Sequence, residues 1–172
     1  MAGHPRDETA GVPAAPSDPA LVVGFDGFPE SEHALLAAAD LAGRLHAFVH
    51  VVHAVGLDDY PVDPDSDDWE EQLAGVLEDH RRTVGSLLAG VARGWTYQAE
   101  RGNAVELVAG AAEAHDALMI VLGTRRGGLG QPIDRLLHPS IPAQVIRRQH
   151  RPVLVVPLPP RQRAGSHRPA AR

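Results

Sequence analysis

The stretch Ala117–Gly130, ALMIVLGTRRGGLG, decides how this chain is read. An apolar run stops at Gly123, and a glycine-rich loop carrying Arg125 and Arg126 follows at once. A strand buried on both faces of a parallel sheet reads as such a short, continuous apolar run. A glycine and arginine loop at its carboxyl end is where open α/β sheets hold anionic ligands. Glycine lets backbone N–H groups come close to an oxygen, and arginine adds a charged fork of donors. The simpler reading is that Gly123 ends a strand and the loop is a solvated connection.

Outward from this stretch the chain alternates. Ala20–Phe25 is an apolar strand, and Glu30–Leu45 has helical spacing through His33, Leu36, Leu41 and Leu45, with Pro29 or Ser31 at its start. His46–Ala54 reads as a second strand, and Val55–Ser66 as an acidic loop. Asp67–Ala92 carries Trp69, Leu73, Val76, Leu77, Val84, Leu87, Leu88 and Val91 at spacings of three and four, an amphipathic helix capped by Ser66 or Asp67 and stopped by Gly94. Trp95–Glu100 alternates as an edge strand, Ala104–His115 is helical, and Ala117–Leu122 is the strand before the loop. Ser140–Gln149 is a short helix and Pro152–Pro157 the last strand. Strands alternating with helices predict an α/β fold: a parallel sheet covered on both faces and connected by right-handed crossovers. Residues 1–18 and 159–172 are rich in Pro, Ala, Gly and Arg and are expected to be disordered arms around a single domain at 19–158.

Composition narrows the function. The 172 residues suffice for one domain with a real core. No apolar run approaches the roughly 18 residues of a membrane span, and no secretory leader is visible. Cysteine is absent, which removes disulfides, thiolate nucleophiles and cysteine metal sites and agrees with a reducing cytoplasm, the expected location. All 16 cationic residues are arginine, so neither a Walker A lysine nor a Schiff-base lysine exists. A net charge of −6 argues against broad nucleic-acid binding.

Asp26 ends the first strand in Val-Val-Gly-Phe-Asp-Gly, and Gly123 ends the fourth in Gly-Thr-Arg-Arg. If these strands are neighbours where the strand order reverses, both tips face one crevice, the default ligand site of a doubly wound sheet. An acid at one tip can accept from an adenine amino group, while the loop at the other holds phosphates.

On these residues the chain resembles the universal stress protein family. The matching pieces are VVGFDGFPESEHAL, HVVHAV, RGNAVELVAGAAEAHDALMIVLGTRRGG and VIRRQHRPVLVVP, which together span nearly all of Leu21–Pro157. The resemblance implies a three-layer, five-stranded parallel sheet in order 3-2-1-4-5, of the adenine nucleotide α-hydrolase-like type. It also implies a homodimer through the last strand, Pro152–Pro157, and a division of members into ATP binders and non-binders. In binders the strand-one acid contacts adenine, which maps onto Asp26. A strand-two residue lining the base maps onto Val49, with His50 as the neighbouring alternative. The phosphate motif G-x2-G-x9-G-[ST] begins at Gly123. Its second glycine falls on Arg126, beside Gly127 and Gly128, and its last pair on Pro139-Ser140. Pro139 and Pro142 have no N–H to donate, whereas Ile141 and Ala143 keep theirs and Ser140 keeps a hydroxyl. The candidate binding residues are therefore Gly24, Phe25, Asp26, Val49, Leu122, Gly123, Thr124, Arg125, Arg126, Gly127, Gly128, Ser140 and Ile141, with ATP and its Mg2+ as the expected ligand.

Other patterns are weaker. His46 and His50 share one strand face and His53 takes the other, so these three do not make a metal site. Asp63-Pro-Asp65-Ser-Asp67-Asp68 begins like a calcium loop but has Asp68 where glycine is needed and Ala74 in place of the bidentate Glu. Ser31, Ser86 and Ser140 sit in helix settings rather than a nucleophile elbow, and Asp116 reads as a turn residue. No catalytic residue is assigned. The expected function is a regulatory module responding to an adenine nucleotide. The alternatives are a non-nucleotide member acting as a dimeric interaction module and, more weakly, an enzyme of the wider α-hydrolase-like class, whose pyrophosphatase loop is missing at Gly27-Phe28-Pro29-Glu30.

Overall fold

The computed structural model describes residues 18–56, 59, 68–124 and 140–158. Five strands, β1 (Ala20–Phe25), β2 (Phe48–Val55), β3 (Trp95–Arg101), β4 (Met119–Gly123) and β5 (Val153–Val156), form one sheet in the order β3-β2-β1-β4-β5. Every pairing is parallel. The helices between them are α1 (Pro29–Leu45), α2 (Trp69–Leu87), α3 (Ala104–Ala114) and α4 (Ile141–Arg148). The expected fold class is therefore the observed one. The expected arms lie outside the described residues, apart from Asp18.

Alternation along the central strands builds two cores. Leu21, Val23 and Phe25 of β1 and Val49 and Val51 of β2 pack under α1 and α2 with Ala34, Leu35, Ala38, Val84 and Leu88. Val22 and Val52 face the other way, onto Val105, Val108 and Ala112 of α3 and Val145 of α4. A strand apolar on both faces is what a doubly covered parallel sheet demands.

Local chemistry sets the element ends. Pro29 opens α1, its fixed φ suiting a first helical position. Asn103 caps α3, accepting from the N–H groups of Val105 and Glu106. Several boundaries differ from the sequence reading by one or more residues, and two have a clear physical reason. His46 does not begin β2: it is the C-cap of α1, left-handed at φ 52°, and the strand starts at Phe48. Helix α2 stops at Leu87 rather than Ala92. Leu88 and Val91 stay buried in the turn that follows, where Val91 N–H bonds to Leu88 O (3.0 Å). A three-residue turn spaces apolar residues much as a helix does, so the stripe outlasts the helix.

Arg151 fastens β5 to the rest. Its Nη1 donates to Ala117 O (2.6 Å) and its Nη2 to Asp116 Oδ1 (3.0 Å), with the side chain 14% exposed. Asp116 reaches this position from a left-handed turn, φ 46°. Arg151→Ala is expected to cost about 2 kcal/mol, since charge-assisted hydrogen bonds are worth roughly 1.5–3 each. Urea unfolding measures it, and a loss under about 0.5 kcal/mol would reduce the contact to a surface ion pair.

Candidate functional site

The strand order reverses between β1 and β4, and helices leave the two strands on opposite faces. Tips of neighbouring strands therefore diverge there and leave a crevice. It is a narrow slot with a cavity volume of about 100 Å³. Gly24 and Asp26 from β1 and its exit, Leu122 and Gly123 from β4, and Ile141 and Pro142 at the start of α4 line it. Two segments about a hundred residues apart in sequence thus enclose one hollow.

Glycine is required at one wall. A Cβ on Gly123 would stand 2.6 Å from the carbonyl carbon of Glu30, closer still to its oxygen, and 3.0 Å from Ser31 N. The tip of β4 therefore touches the backbone of the first turn of α1. That turn is tied to Asp26: Asp26 N–H donates to Ser31 Oγ (3.3 Å), Ser31 Oγ donates to Phe28 O (2.8 Å), and Phe28 N–H donates to Asp26 Oδ1 (3.2 Å). This network orients the half-buried carboxylate at the crevice rim.

Of the residues expected from sequence, Gly24, Asp26, Leu122, Gly123 and Ile141 line the crevice. Phe25 borders it, but its ring turns to the opposite face, edge-on to His53 at 5.7 Å and His80 at 5.6 Å. Thr124 extends the ladder, its N–H bonded to Val156 O (3.1 Å). Ser140 is the N-cap residue of α4 without a side-chain cap bond, and its carbonyl accepts from Gln144 N–H. Arg125, Arg126, Gly127 and Gly128 lie outside the described residues, as does Pro139. Val49 requires a correction. It is fully buried in the core under α1 and α2, on the face away from the crevice. The crevice-facing positions of β2 are Val52 and Ala54. The reason is register: Val52, not Val49, pairs with Gly24. His50 shares the face of Val52 but sits farther from the strand tip. Its Nδ1 meets Thr96 Oγ1 at 2.8 Å, and its ring stacks on His115 with centroids 3.5 Å apart. Burial, and secondarily the neighbouring His115, lowers the His50 pKa to about 4, so the ring is neutral.

His50 and His53 take opposite faces of β2, whereas His46 caps α1 outside the strand. Residues not singled out from sequence also line the crevice: Val52, Ala54, Ala104, Val108, Glu30 and Ser31. Only the two β2 residues carried a usable signal, the alternation of their strand.

The family model described as the universal stress protein family matches residues 20–157, and the chain belongs to that family. Among solved structures, a universal stress protein in complex with cAMP is 25% identical, with a TM-score of 0.58 over 81% of this chain and 97% of that one. A family protein from Burkholderia pseudomallei is 26% identical, with a TM-score of 0.59 over 85% and 100%. A universal stress protein from Archaeoglobus fulgidus in complex with dAMP shares the fold at 19% identity, with a TM-score of 0.55 over 82% and 98%. No curated protein sequence matches significantly. No helix among the described residues is long and apolar enough to cross a membrane.

Proposed function

We propose that this chain is a regulatory module that takes an adenine nucleotide in the β1/β4 crevice. The observation that carries the reading is the carboxylate of Asp26 held at the rim of a largely apolar slot between two strand tips. A flat base fills such a slot, and an ionised carboxylate, with about four acceptor positions, takes the base's amino group. The relative solved with cAMP, similar over most of both chains, supports the same ligand class. Arg125 and Arg126 supply charged donors for phosphate, and Mg2+ accompanies ATP. The module acts by population shift rather than turnover: ligand orders the surface a partner sees.

A homodimer through β5 belongs to this reading. β5 is an edge strand of four residues, and Leu154 on it and Ile146 on α4 are exposed apolar side chains. Light scattering at micromolar concentration is expected to give twice the chain mass. The location we propose is the cytoplasm.

One observation favours the non-nucleotide alternative. Pro142, without an N–H, lines the crevice in the first turn of α4, where a phosphate would look for a donor. Calorimetric titration of the full chain with ATP and Mg2+, and with cAMP, separates the two. Asp26→Ala is expected to weaken binding about 10- to 100-fold, the worth of one hydrogen bond to a charged group. The Arg125→Ala, Arg126→Ala double variant should weaken ATP more than adenosine. Absence of heat for the unmodified chain would turn the assignment to the interaction module.

A further inference from the structure

On the face of the sheet opposite the crevice, three side chains from three separate segments converge. His53 comes from β2, Asp59 from the segment after it, and His80 from the middle of α2. His53 Nε2 lies 3.0 Å and His80 Nδ1 3.7 Å from the same oxygen, Asp59 Oδ1. The three donor atoms all lie within 4.8 Å of one another. The side chains are 1%, 6% and 23% exposed, respectively, for His53, Asp59 and His80.

Hydrogen bonding accounts for only part of this arrangement. His53 Nε2 and His80 Nδ1 are both buried and have no hydrogen-bond partner among the described residues, although His53 Nε2 is close to Asp59 Oδ1. A buried ring nitrogen without a bond carries a desolvation cost that a native core normally avoids. Two of them pointing at one carboxylate oxygen have the layout of a ligand set.

We infer that His53 Nε2, Asp59 Oδ1 and His80 Nδ1 form a binding site for a divalent transition-metal ion of the zinc type. Zinc bonds of about 2.0–2.1 Å at tetrahedral angles put neighbouring donor atoms about 3.3 Å apart. The two separations measured to Asp59 Oδ1 bracket that value. Two imidazoles and one carboxylate are borderline ligands, suited to Zn2+ and Co2+ rather than to Mg2+ or Ca2+, which prefer oxygen. Three protein ligands leave a fourth position for water or another ligand.

Supporting contacts hold each ligand in place, as metal sites require. Gly56 N–H donates to Asp59 Oδ2 (2.7 Å), which turns Oδ1 toward the histidines. Tyr97 Oη lies 2.6 Å from His53 Nδ1. With Nε2 given to the metal, Nδ1 carries the proton and donates to that oxygen. The Phe25 ring stands edge-on to both imidazoles and walls the site from the core. Gly27, at φ 75°, leaves room for the third ligand: a Cβ there would stand 2.6 Å from His80 Nε2. The bound ion ties α2 to β2 and the segment after it, beside Gly27. This site does not depend on the nucleotide reading.

The test uses the full chain, stripped with a chelator and then titrated with Zn2+ against a chromophoric competitor. One Zn2+ per chain is expected, and Co2+ is expected to give the intense visible bands of four-coordinate geometry. His80→Ala removes a partly exposed ligand from a helix that alanine suits. With its folding checked by circular dichroism, it is expected to weaken Zn2+ binding by more than about 100-fold, since even outer partners are worth 10- to 100-fold. Asp59→Asn should weaken it likewise, while His150→Ala, at an exposed position, should leave it unchanged. The inference is overturned if the stripped chain takes up no stoichiometric Zn2+, or if folded His80→Ala and Asp59→Asn bind as tightly as the unmodified chain.

Discussion

Gly123→Ala is expected to destabilise the fold by about 3 kcal/mol, the upper end of the usual cost of overpacking a filled site. The added methyl would overlap the carbonyl of Glu30, which belongs to the first turn of α1. A flexible side chain could swing aside, but a helix backbone cannot. Either the tip of β4 or the start of α1 must move, and both are held. β4 pairs with β1 on one side and β5 on the other, while α1 is pinned by the Ser31 and Asp26 hydrogen bonds. Urea unfolding of the two proteins gives the difference directly. Gly110→Ala is the matching control: nothing lies within 4 Å of a Cβ there, in the middle of α3. That change should stabilise by about 0.5–1 kcal/mol through helix propensity. A Gly123→Ala protein as stable as the parent would mean that the contact between β4 and α1 is loose.

Acidification is expected to remove about 3 kcal/mol through His50 alone. The folded protein holds this ring neutral down to about pH 4 because of burial first and His115 second, whereas the unfolded chain protonates near 6.5. The unfolded state therefore binds the extra proton between those values, and stability falls with pH. The contribution is complete above about pH 7, is lost as pH drops from 6.5 toward 4, and changes no further below that. His50→Asn keeps an amide near Thr96 Oγ1 and has nothing to titrate. Its stability should fall less steeply over that window, even if it starts lower from the lost volume. Unfolding free energies at a series of pH values decide it. Parallel curves for the two proteins would show that His50 titrates normally in the folded state.

Fold and site were unequally legible in the sequence. β1 could be read to the residue because an apolar run there ends in Gly-Phe-Asp-Gly, and the edge position of β3 showed in its mixed alternation. Register was hidden. Nothing local to β2 says that Val52 rather than Val49 stands beside Gly24, since the ladder is fixed by how whole strands pack, and an odd shift turns every side chain to the other face. The second cluster was half visible. His53 continues the core-facing series Val49, Val51 on β2, and His80 stands in the apolar stripe of α2 between Leu73 and Val84. A histidine inside an apolar stripe is a signal. That the two stripes meet, and that Asp59 joins them, is a tertiary fact.

The packing of β4 against α1 bears on how ligands are assigned to chains of this shape. A motif glycine is commonly taken as a mark of phosphate chemistry. Here the residue is demanded by the carbonyl of Glu30 whatever the crevice holds. A chain that had given up its ligand long ago would still need it, so this glycine diagnoses the architecture and says nothing about the cargo.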